Sequence, residues 1–208
     1  MNPRPEKCFP GFEKINRYWD GKHKKIAAKI LPGEFYVTKN DEVIVTLLGS
    51  CISVCVYDRR LKLGGMNHFM LPVTGNSVCH DSILLNGEAG RYGNYAMEHM
   101  INEMLKQGAD KKHLEFKVFG GGKVLKNATS IGDSNIEFVF DYMKKENYVI
   151  QSSNVGDIYP RKILFYVNTG DVFMKKLQTM HNDTIIEREK SYKEELSKQK
   201  LSGDVELF

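Results

Sequence analysis

Short apolar runs rich in β-branched and aromatic side chains dominate the first third of the chain. Residues 34–38, 43–46, 52–57 and 63–71 each fit a strand, and Asn40-Asp41 fits a turn between the first two. Pro32-Gly33 marks the entry to this region. The residues before it are polar, with Pro3, Pro5 and Pro10, and predict a loose arm or a short helix around 12–19. Trp19, the only tryptophan, together with Phe12 and Tyr18 predicts that this arm packs on something.

The period then changes. Residues 73–90 are loop-like in composition. Across 91–108, Tyr92, Tyr95, Ala96, His99, Met100, Met104 and Leu105 recur near a helical period, with His99 at the edge of the face and Gly108 as the stop. Residues 114–119 alternate as a strand and run into Gly120-Gly121-Gly122. Asp133 or Ser134 predicts the cap of a helix over 135–145, whose apolar face is Ile136, Phe138, Val139, Tyr142 and Met143. Residues 149–152, 162–168 and 171–177 fit closing strands, with Thr169-Gly170 turning into the last. From His181 onward, charge pairs such as Lys190 with Glu194 come with few apolar anchors. That predicts a solvated helix or disordered tail, or else a partner-binding helix.

Strands come first, then helix, strand and helix, then strands again. This order predicts a single α+β domain with layered sheets and helices on one side. The expected boundaries are an N-terminal extension over 1–30, the domain over 31–180 and a charged tail over 181–208.

One place in this pattern carries chemistry. Cys51 follows Gly49-Ser50, between two predicted strands. There the backbone can turn sharply and leave N–H groups unpaired. His68 lies in the next apolar run. A thiol beside free N–H donors, with an imidazole delivered by a neighbouring strand, is what acyl transfer needs. The plainer readings are a core thiol and an interior histidine. A Cys51/Cys55 pair does not fit a strand, which sets the Cα atoms about 13 Å apart. A disulfide spans less than about 7 Å, and two thiolates on one zinc lie closer still. Cys55 is therefore expected in the core. His80, beside Cys79 and Asp81, sits in a polar stretch without a positioning pattern. The triple glycine before Lys123 fails as a phosphate loop, because Val124 stands where Ser or Thr would hold magnesium.

The runs LLGSCISVCVYD and LGGMNHFMLP resemble the CheD family of chemoreceptor glutamine deamidases, and the resemblance continues to about Lys176. It implies a three-layer α/β/β sandwich. It places the nucleophile of the L-G-S-C motif on Cys51 and the catalytic histidine of the G-x-M-x-H-x-M-L-P motif on His68. The threonine that orients the histidine falls on Thr46, one residue closer to the cysteine than in the family's pattern. The implied reaction is hydrolysis of a glutamine side-chain amide in a protein. A Cys51 thiolate, ion-paired with His68, attacks the amide carbon, and His68 then protonates departing ammonia. N–H groups around Gly49, Ser50 and Cys51 hold the oxyanion, and water cleaves the thioester. The resemblance implies no metal and no organic cofactor. It also implies that the glycines at 120–122 let a substrate backbone approach, and that Gly156-Asp157 replaces a frequent Gly-Gly. The implied substrate is the cytoplasmic helical bundle of methyl-accepting chemoreceptors, with glutamate methyl esters as a second target of the same chemistry. The family's other role is as a binding regulator of a CheC-type phosphatase. A hydrolase of free small amides shares the same nucleophile.

Composition narrows the partners. With 208 residues, the chain is long enough for a domain with a proper core. A net charge of +4 is mild, and its lysine doublets are scattered without the aromatic-basic motif of a nucleic-acid module. The four cysteines lack zinc spacing or the density of a disulfide scaffold, so a reducing, cytoplasmic setting is expected. The first residues lack the apolar core of a signal peptide. The longest apolar region, 43–57, falls short of the roughly 20 residues of a membrane span, so no membrane insertion is expected.

Overall fold

The computed structural model describes residues 2–71, 88–124, 129–177 and 183–198. In chain order the first strands are β1 (Asn16–Asp20), β2 (Lys25–Lys29), β3 (Phe35–Thr38), β4 (Glu42–Leu48), β5 (Ile52–Asp58) and β6 (Leu63–Asn67). Helix α1 (Glu88–Lys106), strand β7 (Leu114–Gly120) and helix α2 (Thr129–Lys145) follow. Strands β8 (Ile150–Val155), β9 (Arg161–Tyr166) and β10 (Asp171–Lys176) lead to helix α3 (Asp183–Lys198). One five-stranded sheet has the order β1-β2-β4-β9-β10, and the other β3-β6-β5-β7-β8. Both are mixed, since β2 runs parallel to β4 and β7 parallel to β8.

Gly64 and Gly65 show how the layers stack. A Cβ on Gly64 would lie 2.9 Å from the Phe165 ring of β9, and one on Gly65 would lie 3.2 Å from the Met104 sulfur of α1. Strand β6 thus touches the other sheet on one face and a helix on the opposite face. Its sheet is the middle layer of an α/β/β sandwich, the expected architecture. Every residue of β5 is buried, as expected for a strand covered on both sides. Most of the core lies between the layers, where Ile44, Leu48, Ile52, Val54, Phe116 and Phe165 are fully enclosed. A smaller cluster of Ala27, Val43, Val45 and Leu164 lies on the first sheet.

The strands predicted between 34 and 57 and from 114 to 177 appear within a few residues of their expected bounds. Four expectations are corrected. The helix around 12–19 is not formed. Residues 16–29 instead make the β1–β2 hairpin, with Asn16 opposite Lys29 and Asp20 opposite Lys25. Glu42 explains this: the buried carboxylate is bonded by Arg17 of β1 and by the Tyr36 hydroxyl at 2.9 Å. The strand at 63–71 stops at Asn67 and resumes only as a single bridge between Phe69 and Ile52. Helix α2 starts at Thr129, so Asp133 and Ser134 lie inside it rather than capping it. There Gly132 meets the 120–122 loop, where a Cβ would lie 2.6 Å from the Gly121 carbonyl oxygen. Finally, the C-terminal helix is docked on the domain through buried Glu189, Tyr192 and Leu196. Most of the loop-like stretch, including Cys79, His80 and Asp81, lies outside the described residues.

Candidate active site

The chain leaves β4 at Leu48, turns through Gly49, Ser50 and Cys51, and enters β5 at Ile52. The carbonyls of this turn are all held. Gly122 N–H donates to Gly49 O at 2.7 Å, Gly121 N–H to Cys51 O at 2.8 Å, and Asn135 Nδ2 to Ser50 O at 2.9 Å. Asn135 Oδ1 in turn accepts from Leu71 N–H at 2.8 Å, tying the turn to the segment that carries His68. The resemblance implied that the glycines at 120–122 admit a substrate backbone. The backbone they admit here is the chain's own, at Gly49 and Cys51.

With its carbonyls anchored, the turn presents its N–H groups together as an anion-binding nest. They hold the carboxylate of Glu189. Gly49 N–H donates to Oε1 at 2.9 Å, Ser50 N–H to Oε2 at 3.0 Å and Cys51 N–H to Oε1 at 3.3 Å. The Ser50 hydroxyl adds a fourth bond to Oε2 at 2.7 Å, and the Cys51 thiol lies beside the same carboxylate. Gly49 has to be glycine for this, because a Cβ would lie 2.6 Å from Oε1. Glu189 is 3% exposed and Cys51 is fully buried.

His68 faces the same place. Its main chain is pinned by bonds to Glu34 O and from Gly33 N–H, and Phe69 beside it bridges Ile52 beside Cys51. A cleft is lined by His68, Thr46, Ile30, Pro32 and Glu189. The Thr46 hydroxyl lies 3.0 Å from Ile30 O and 2.7 Å from His68 Nδ1. A hydroxyl has one proton, and the carbonyl can only accept it, so Thr46 Oγ1 accepts from Nδ1–H. That assigns the tautomer with a free lone pair on Nε2, which is buried and without a hydrogen-bond partner. The structure thus joins Thr46 to His68 directly, and gathers Gly49, Ser50 and Cys51 on Glu189, which shares the cleft with His68 and Thr46; His68 Nε2 makes no hydrogen bond to Cys51 while Glu189 is seated.

Burial and the neighbouring Glu189 carboxylate push the Cys51 thiol well above its ordinary range. Burial pushes His68 down to about 3. With Glu189 seated, the pair is therefore a thiol and a neutral imidazole rather than the ion pair expected from the sequence. This has a consequence for stability. Below pH 6.5 the unfolded chain protonates His68, while the folded chain refuses that proton until about pH 3. Folding stability should fall across this window by up to about 1.4 kcal/mol per pH unit. It should fall again in alkali, where the unfolded chain loses a Cys51 proton that the folded chain keeps. Thermal unfolding between pH 7 and pH 4 should show the acid slope, and His68→Gln should make it shallower.

Four contributing residues were not foreseen. Asn135, expected only as the first residue of the helix, lies inside α2 and is fully buried. Tyr92 of α1 and Tyr192 of α3 meet through their hydroxyls beside Cys51. Glu189 was read as one charge among many. Its only signal was the spacing of Glu189, Tyr192 and Leu196 on one helix face. Among the described residues no group of His, Cys, Asp and Glu comes together that could hold a metal ion, and no helix is long and apolar enough to cross a membrane.

Comparison with known proteins gives a consistent set of relatives. A family profile described as CheD chemotactic sensory transduction matches residues 70–176. A protein of Halorhodospira halophila, named probable chemoreceptor glutamine deamidase CheD, is 51% identical over 201 residues, covering 97% of this chain and 93% of its own. A protein of the same name from Hahella chejuensis is 48% identical over 204 residues, covering 98% and 95%. One from Hydrogenovibrio crunogenus is 51% identical over 180 residues, covering 86% and 93%.

Proposed function

The chain belongs to the CheD family, and we propose that it is a protein-glutamine deamidase acting on the cytoplasmic helices of chemoreceptors. In this reading Cys51 is the nucleophile, His68 carries the proton, Thr46 orients His68, and the N–H groups of Gly49, Ser50 and Cys51 bind the oxyanion. One observation carries it. A side-chain carboxylate, the chemical product of glutamine hydrolysis, rests on those N–H groups against the Cys51 thiol.

A glutamine carboxamide takes the place of the carboxylate, with its oxygen on the N–H nest. The substrate is neutral, so the negative charge that disfavours a thiolate leaves the site. Sγ adds to the amide carbon while the thiol proton passes to Nε2, whose lone pair the Thr46 bond leaves free. The oxygen becomes an oxyanion facing donors already in position, which need no rearrangement to stabilise it. His68 returns the proton to nitrogen, the C–N bond breaks and ammonia leaves. Water, losing a proton to His68, then splits the thioester and leaves glutamate. A glutamate methyl ester offers the same acyl carbon, with methanol as leaving group.

The test is the mass of a receptor cytoplasmic fragment incubated with the wild-type chain. A gain of about one dalton at individual glutamines is expected, with ammonia released in equal amount. Turnover of free glutamine or small amides, with no change in the receptor fragment, would replace this reading with that of a small-amide hydrolase.

A further inference from the structure

We propose that helix α3 is a built-in product analogue: Glu189 occupies the acyl site, so the C-terminal segment competes with the receptor for the nucleophile. The inference rests on the deamidase reading above and adds its regulation.

The contact is more than a surface ion pair. Glu189 reaches the site from outside the sandwich, and its partners are the three N–H groups and one hydroxyl of the nucleophile turn. Its carboxylate stands where a substrate carboxamide would lie before reaction and where a glutamate would lie after it. The rest of the helix supports the same placement. Tyr192 and Leu196, one and two turns further on, are the other buried side chains described on this face. The Tyr192 hydroxyl meets that of Tyr92, and its ring lies over Gly33, where a Cβ would come within 3.0 Å. Glu187, Lys190, Ser191, Glu194 and Glu195 are exposed. Among the described side chains, the helix therefore holds on by one narrow stripe that begins at a glutamate and continues through Tyr192 and Leu196.

Six residues, 177–182, separate β10 from this helix in the sequence. A tether this short gives effective concentrations on the order of millimolar, so a weak ligand in cis can still occupy the site most of the time. Receptor must then displace it, and apparent affinity drops by the fraction of chains in which the site is open. The segment would set the receptor density at which modification begins.

Two full-length variants test this. Glu189→Arg places a cation against the N–H nest and should release the helix. Cys51, read by peptide mass spectrometry, should then be alkylated by iodoacetamide at least about tenfold faster than in the wild type, and the KM for a receptor fragment should fall. Glu189→Gln instead places a scissile carboxamide at the nucleophile. The purified chain should carry glutamate at 189, whereas Glu189→Gln combined with Cys51→Ala should keep glutamine there. Equal alkylation rates and equal KM in wild type and Glu189→Arg would overturn the competition. Glutamine persisting at 189 in a preparation that deamidates receptor fragment would overturn the product-analogue placement and leave the deamidase reading intact. Deamidation of neither would sink the deamidase reading itself.

Discussion

Cys51→Ala is expected to lower deamidation of a receptor fragment by about four orders of magnitude or more, and adding His68→Gln should lower it little further. In the proposed mechanism the two side chains act in one proton transfer. Once the sulfur is gone, Nε2 has no thiol proton to accept, so the second change removes nothing still in use. Independent contributions would instead multiply. The N–H nest survives both changes, because it is held by Gly121, Gly122 and Asn135 and not by either side chain. Receptor binding should therefore persist in the inactive variants, and the loss should fall on kcat. Ammonia release and fragment mass under saturating receptor, measured for both single variants and the double, check this. A double variant far below each single one would mean that Cys51 and His68 serve separate steps.

The parts of this site that lie close in sequence were legible. Thr46, Gly49, Ser50 and Cys51 fall within one strand and the turn after it, and His68 is carried by the neighbouring strand's continuation. β5 was readable because a strand buried on both faces is mostly apolar, here with Ser53 and Asp58 as its polar members. The hairpin at 16–29 was not, because its stability depends on a distant partner. Arg17 looks like a solvated charge until Glu42 is found beneath it. The expected start of α2 falls late because Asp133 and Ser134 look like caps, whereas the helix begins at Thr129 and Gly132 within it lets two backbones touch. Asp157 stands in a turn at φ +69, a conformation glycine adopts freely and Asp tolerates, so the departure from Gly-Gly leaves the turn in place. Glu189 was the hardest to see. It is 138 residues from Cys51, and only its spacing with Tyr192 and Leu196 sets it apart from its exposed neighbours.

The largest effect on folding is expected at Gly120, where the family resemblance implied room for a substrate. Its φ of +117 suits only glycine, and an added Cβ would lie 2.1 Å from Cys51 O and 3.1 Å from Ile52 Cα. Both obstacles are backbone, so no rotamer change relieves the overlap. Alanine there meets the strained conformation, about 1–3 kcal/mol, and a forced main-chain shift, about 1–3 kcal/mol more. Against a typical total of about 5–15 kcal/mol this is a large fraction. It corresponds to roughly 5–20 °C in Tm for a chain of this size. Gly108 is the control. It also has a positive φ, +95, but an added Cβ would meet only Leu61 Cδ1 at 4.0 Å, so alanine there meets the strain without the clash. Gly120→Ala should unfold well below Gly108→Ala in a thermal melt. Any Gly120→Ala protein that stays folded should have lost activity out of proportion to its stability. Pushing Cys51 O away breaks the Gly121 bond that holds the turn, and the N–H groups then no longer converge on one oxygen. Equal melts for the two variants would mean that the loop yields easily, and that its grip on the nucleophile turn does not set the geometry of the site.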